Sequence, residues 1–133
     1  MFKMTSGPLS VERKVTVNIP GQGNVIGQQT FFATFEIIGD EERQEIVLGE
    51  GNFLDGGLAG TKALLRRVLV GWREVGQVDS EEEDSNAEPF DFNEENVKKM
   101  IDIPYVRIAL VESYDHAAAG RKVKNSKGPL GTG

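Results

Sequence analysis

The chain has no cysteine, one histidine, one tryptophan and no long uncharged apolar run. Without cysteine there are no disulfides, thiol nucleophiles or thiolate metal sites, a composition that suits a reducing compartment. With His116 as the only imidazole, a histidine-rich metal site is impossible and a Ser-His-Asp set has a single candidate base. Asp115 beside it would point elsewhere on a helix, so the expected role is a solvated histidine at the negative end of a helix dipole. Nowhere do eighteen uncharged apolar residues run together, and the opening MFKMTSGPLSVERK lacks the apolar centre of a signal peptide. The expectation is a soluble, intracellular protein with no membrane partner.

Positive charge is also scarce. The net charge is −6, and it is unevenly spread: nine acids and no base lie in 79–95, four bases and no acid in 121–127. The rest of the chain is nearly neutral, so the two charged segments can attract each other or a partner. Nucleic acid is a poor partner for such a chain, because phosphate binding needs a broad positive surface. A length of 133 residues supports one hydrophobic core and one domain.

Along the chain, residues 1–10 have no hydrophobic period and read as a flexible N-terminus, with order beginning near Val11. Residues 13–19 alternate, Val15, Val17 and Ile19 on one face against Lys14, Thr16 and Asn18, until Pro20 closes the strand. PGQGNVIG is turn material. A second strand over 29–38 places Phe31, Ala33, Phe35 and Ile37 on one side, completing a β-hairpin over 11–38. Asp40 can cap a short helix over 41–48 that ends at Gly49, although 44–48 also suits a strand. The glycine-rich stretch 49–57 reads as a crossing into a helical part over 58–120. There a helix from 58 to about 72 would bury Leu64, Leu65, Val68, Leu69 and Trp72 opposite Lys62, Arg66, Arg67 and Arg73. Residues 76–90 form an acidic segment with the composition of a mobile loop.

The clearest helix signals fall in 90–125. Asn93 can cap a helix whose first turn carries Glu94 and Glu95, with Phe92 and Val97 at staple positions and Val97, Met100 and Ile101 on one face. Pro104 ends that helix or opens the next, in which Val106, Ala109, Leu110, Ser113, Tyr114 and Ala117 form a stripe that stops at Gly120. A disordered basic tail follows over 121–133. The fold class expected is α+β: an N-terminal β-hairpin or small antiparallel sheet followed by a C-terminal bundle of about three helices.

Chemical motifs are absent. GQGNVIG has its third glycine one place too far for a dinucleotide loop and no helix pattern after it. Gly57-Leu-Ala-Gly60-Thr61-Lys62 has the wrong order and spacing for a P-loop. The acidic run lacks the spaced acids and turn glycine of a calcium loop. No enzyme activity, cofactor or metal is expected, and two oppositely charged segments on a small domain are the profile of a binding protein.

Three segments, ALLRRVLVGWREV, PFDFNEENVKKMIDIPYVRIALVESY and the small-residue basic end AAAGRKVKN, together resemble the tail assembly chaperones of long-tailed (siphovirus-type) bacteriophages. In that family a "VGW" helix end, an acidic-capped F(S/N)EEN helix, an "IPYV" helix and an Arg/Lys-Asn finish recur in this order. The resemblance spans roughly residues 11–125; the glutamate-rich insert and the ending SKGPLGTG depart from it. It implies a protein of the host cell cytoplasm, absent from the mature virion. Such a protein binds and solubilises the tape-measure protein and helps tail-tube (major tail) subunits assemble around it. Many such chaperones are also made in a longer, frameshifted form, and RKVKNSKG lies where a shift would fall. The partner contacts expected are Phe32, Trp72, Tyr105, Tyr114, Arg121, Lys122 and Lys124, and a homo-oligomer through unpaired hairpin edges is a further expectation. The alternative is a structural tail-completion or connector protein of the virion.

Overall fold

Alternating β-branched and polar residues hold strand β1 (Leu9–Pro20) extended, with Val15 and Val17 buried and Glu12, Lys14, Thr16 and Asn18 outward. In the computed structural model, which describes residues 1–4, 7–23, 26–49, 57–77 and 88–121, β1 pairs antiparallel with β2 (Ile26–Ile37) over the full length of both. Leu9 stands opposite Ile37 and Pro20 opposite Ile26, around a turn with Gly23 in the left-handed region (φ 63°). The strands are longer than their hydrophobic alternation predicts. Strand pairing already starts at Leu9, and β2 begins before Gln29, because each added residue finds a ladder partner across the hairpin.

The expected helix over 58–72 divides in two. Helix α2 (Leu58–Val68) buries Gly60, Leu64, Leu65 and Val68, then Leu69 turns extended (φ −81°, ψ 112°). Strand β3 (Leu69–Arg73) follows and pairs antiparallel with β2, Leu69 opposite Phe35, Trp72 opposite Ala33 and Arg73 opposite Phe32. Gly71 stands opposite Thr34, which leaves Val70 as the extra residue of a bulge. The bulge is why this strand carries a helical spacing. It returns Leu69 and Trp72 to the same face although they are three apart, a spacing that otherwise signals a helix. Leu-Val-Gly-Trp also suits a strand better than a helix interior, and β2 offers an open edge to receive it.

Helix α1 (Asp40–Gly49) forms as expected but opens one residue early. The Arg43 N–H donates to the Gly39 carbonyl (3.0 Å), which places Asp40, Glu41 and Glu42 together at the positive end of the dipole. It packs closely on α2: a Cβ at Gly60 would lie 3.0 Å from both the Val47 side chain and the Val47 carbonyl. Arg67, expected on a solvent face, instead reaches Glu36 of β2 and Glu42 of α1, each at 2.8 Å.

Helix α3 (Glu94–Ile101) has the cap its sequence indicates, the Asn93 side chain accepting from the Asn96 N–H (2.8 Å). Pro104 opens α4 (Pro104–Ala118), which buries Ala109, Leu110, Tyr114 and Ala117. Gly120 (φ 71°) ends it: the Arg121 N–H donates to the His116 carbonyl (2.8 Å) and the Gly120 N–H to that of Ala117 (3.0 Å), a Schellman motif. Helix α4 crosses the sheet so that Tyr114 reaches Ile38 at one end while Tyr105 and Val106 lie by Val17 and Ile19 at the other. Both ends of the expected acidic loop over 76–90 are ordered, as β4 (Gly76–Gln77) and β5 (Glu88–Pro89) pair antiparallel. Its middle, 78–87, and the expected crossing over 50–56 lie outside the described residues.

The α+β class is the one expected, with a three-stranded sheet and four helices sharing one core. Tyr114 joins its parts. Its ring meets Phe35 edge-on, with centroids 5.7 Å apart, and its hydroxyl accepts from the Ile38 N–H (3.2 Å). Tyr114→Phe should lower stability by about 1 kcal/mol, read from urea unfolding as a lower midpoint at unchanged m, because Ile38 loses its acceptor. Tyr114→Ala should cost roughly 3–5 kcal/mol through the cavity it leaves.

Candidate functional site

The pairing of β3 with β2 stops at Arg73 and Phe32, while β2 continues to Ile26. Glu74 takes a left-handed conformation (φ 64°) and swings the chain off the sheet edge into β4. Where the two part, an apolar groove of about 530 Å³ opens. Val17, Ile19 and Phe31 of the hairpin form one wall, and Val75 with Phe90 another. Met100 of α3 and Val106 of α4 close the floor, with Ile103, Tyr105, Lys99 and Glu74 at the rim.

Of the expected contact residues, Tyr105 alone lines this groove, 37% exposed. Trp72 lies beside it with little left to offer a partner. Its Nε1 donates to the Phe90 carbonyl (2.7 Å), its ring stacks on Phe90 (5.8 Å between centroids, 6° between planes), and Phe92 meets it edge-on at 4.8 Å. That cluster clamps the chain after the acidic insert onto β3. Phe92, at the position of a helix staple, here packs on Trp72. Tyr114 is 1% exposed, a core residue, because the stripe that carries it faces the sheet. Phe32 is on the outer sheet face as expected, but the Arg73 guanidinium covers it at 3.9 Å from the ring centroid. Arg121 is exposed beyond the α4 cap, and Lys122 and Lys124 lie outside the described residues. These positions do not converge on one site.

What sequence reasoning missed is the set of groove walls. Val17, Phe31, Met100 and Val106 belong to regular apolar stripes, and a stripe does not show where its cover ends. The one local signal is Glu74-Val75-Gly76, a break after an apolar run. A second, shallower concavity of about 340 Å³ gathers Lys62 and Arg66 of α2 with Lys98 and Lys99 of α3 around Asp102. Lys62 hydrogen-bonds Asp102 at 2.8 Å and thereby holds its carboxyl below the usual range. Lys98 and Lys99 face Glu94 and Glu95 at 3.9 and 3.5 Å. Among the described residues no His/Asp/Glu cluster can hold a metal, and no helix is long and apolar enough to cross a membrane. No protein-family model, curated protein or solved structure matches the chain.

On the outer face Arg73 also forks onto Glu12, at 2.8 and 2.9 Å. That hydrogen bond, with the guanidinium charge, holds the Glu12 carboxyl below its ordinary value. A lowered folded-state value stabilises the fold above the unfolded pKa, and the contribution is lost as pH falls through the folded one. Arg73→Gln should therefore return Glu12 upward toward an ordinary carboxylate, seen by NMR titration of its side-chain carboxyl. It should also leave the Phe32 ring more accessible.

Proposed function

We propose that the protein is a tail assembly chaperone of long-tailed bacteriophages, and that it holds an apolar segment of the tape-measure protein in the groove beside β3. One observation carries the reading: the two longer segments of the resemblance meet in this groove. Val75 comes from the VGWREV end, Phe90 and Met100 from the segment around the capped helix, and Ile103, Tyr105 and Val106 from the IPYV helix. Residues far apart in the chain thus build one concave apolar surface, the kind that shields apolar side chains of a long partner before assembly. The VGW element enters as a strand rather than a helix end, and this is what sets Val75 at the groove wall. The acidic insert adds negative charge to the complex, which favours solubility. Tail-tube subunits would assemble around the held tape-measure protein in the host cytoplasm, and the chaperone would then leave.

Co-expression with the tape-measure protein tests the proposal. The native chain should keep that protein soluble. Tyr105→Glu should reduce the soluble fraction several-fold while its own circular dichroism and melting temperature stay near native, since Tyr105 is already part-exposed. A tape-measure protein that stays insoluble with the native chain would sink the proposal. Recovery of the chain from purified virions by mass spectrometry would point instead to a tail-completion or connector protein.

A further inference from the structure

The residues that precede β1 are the most exposed apolar side chains described. Met1 is fully in solvent, and Phe2 and Met4 are each 83% exposed. In an extended arm Phe2 and Met4 share a face, with Met1 and Lys3 on the other. The groove is lined by the part of β2 that has no strand on its outer side among the described residues. An extended segment placed there can pair with the β2 edge at Gln29 to Phe31 and drop alternate side chains onto the apolar floor.

The arm cannot seat both Phe2 and Met4 in the groove of its own chain. β1 starts at Leu9, and Val17 at the groove wall lies roughly 26 Å further along the strand at about 3.3 Å per residue. The chain from Met4 to Leu9 spans at most about 18 Å when fully extended, and that from Phe2 about 25 Å, so Met4 falls short even where Phe2 just arrives. A second copy removes this mismatch. In two copies aligned antiparallel the start of each β1 would lie beside the far end of the other, within an arm's length of the neighbour's groove, and the exchange would close as a two-fold dimer.

We infer that the protein self-associates by exchanging its N-terminal arms, with Phe2 and Met4 of one copy seated in the Val17–Phe31–Val106 groove of the other. The inference shares its groove with the chaperone reading but stands without it, and its test needs no tape-measure protein.

Because the chain has no cysteine, single substitutions give unambiguous cross-links. A mixture of Met4→Cys and Gln29→Cys proteins under mild oxidation should yield a disulfide-linked dimer well above a Met4→Cys and Glu112→Cys control, Glu112 being exposed on α4. Light scattering after size exclusion should show the native chain as a dimer. The double variant Phe2→Ser/Met4→Ser should weaken dimerisation by roughly a hundredfold or more, the loss expected from removing two large apolar anchors. A native chain that is monomeric at high micromolar concentration would overturn the inference. So would a dimer untouched by the double substitution, or cross-linking no better than the control.

Discussion

The antiparallel register between β2 and β3 is the constraint on which the rest of the molecule depends. Setting Leu69 opposite Phe35 ends α2 at Val68 and turns Trp72 inward opposite Ala33. With Trp72 placed, its indole N–H captures the Phe90 carbonyl, and the chain returning from the acidic insert is tied to the sheet before α3 begins. The same register determines where pairing stops. Beyond Arg73 the left-handed Glu74 takes the chain away from β2, and the space left between them is the groove. A strand of five residues thus sets a helix end, an aromatic clamp and the candidate binding surface together.

Burial supplies the stability and the ion pairs supply orientation. The core runs from Val15 and Phe35 of the sheet through Leu65 and Val68 of α2 to Leu110 and Tyr114 of α4. Around it Arg67 joins α2 to both β2 and α1, and Arg43 joins α1 to Asp115 of α4 at 2.8 Å. All of these side chains are partly exposed, so each pair is worth about 0–1 kcal/mol. Their consequence is positional. Helix α1, which buries none of its residues fully, is held against its neighbours by Gly60's close approach to Val47 and by these charged contacts.

The outer and inner faces of the sheet have been put to different uses. Outside, Glu12, Arg73 and Phe32 form a layered contact in which the guanidinium satisfies a carboxylate and covers a ring. It leaves little free apolar area there. Inside, the cover given by α4 and α3 is complete near Tyr114 and incomplete near Tyr105, which leaves the apolar groove at that end of the sheet.

The sequence by itself determined whatever depends on neighbours along the chain: the alternation of β1 and β2, the Asn93 cap, a helix boundary at Pro104 and the stop of α4 at Gly120. Each is settled within a few residues by backbone hydrogen bonding and side-chain period, so each is legible locally. Only the tertiary structure decided what depends on distant partners. A helical spacing at Leu69 and Trp72 became a bulged strand because β2 supplied backbone partners, and Tyr114, on a stripe whose spacing already marks it as buried, found its partners in Phe35 and Ile38. The groove belongs to the second class. Its walls come from the hairpin, α3, α4 and the link after β3, and an unfilled gap between packed elements leaves no mark on any single one of them.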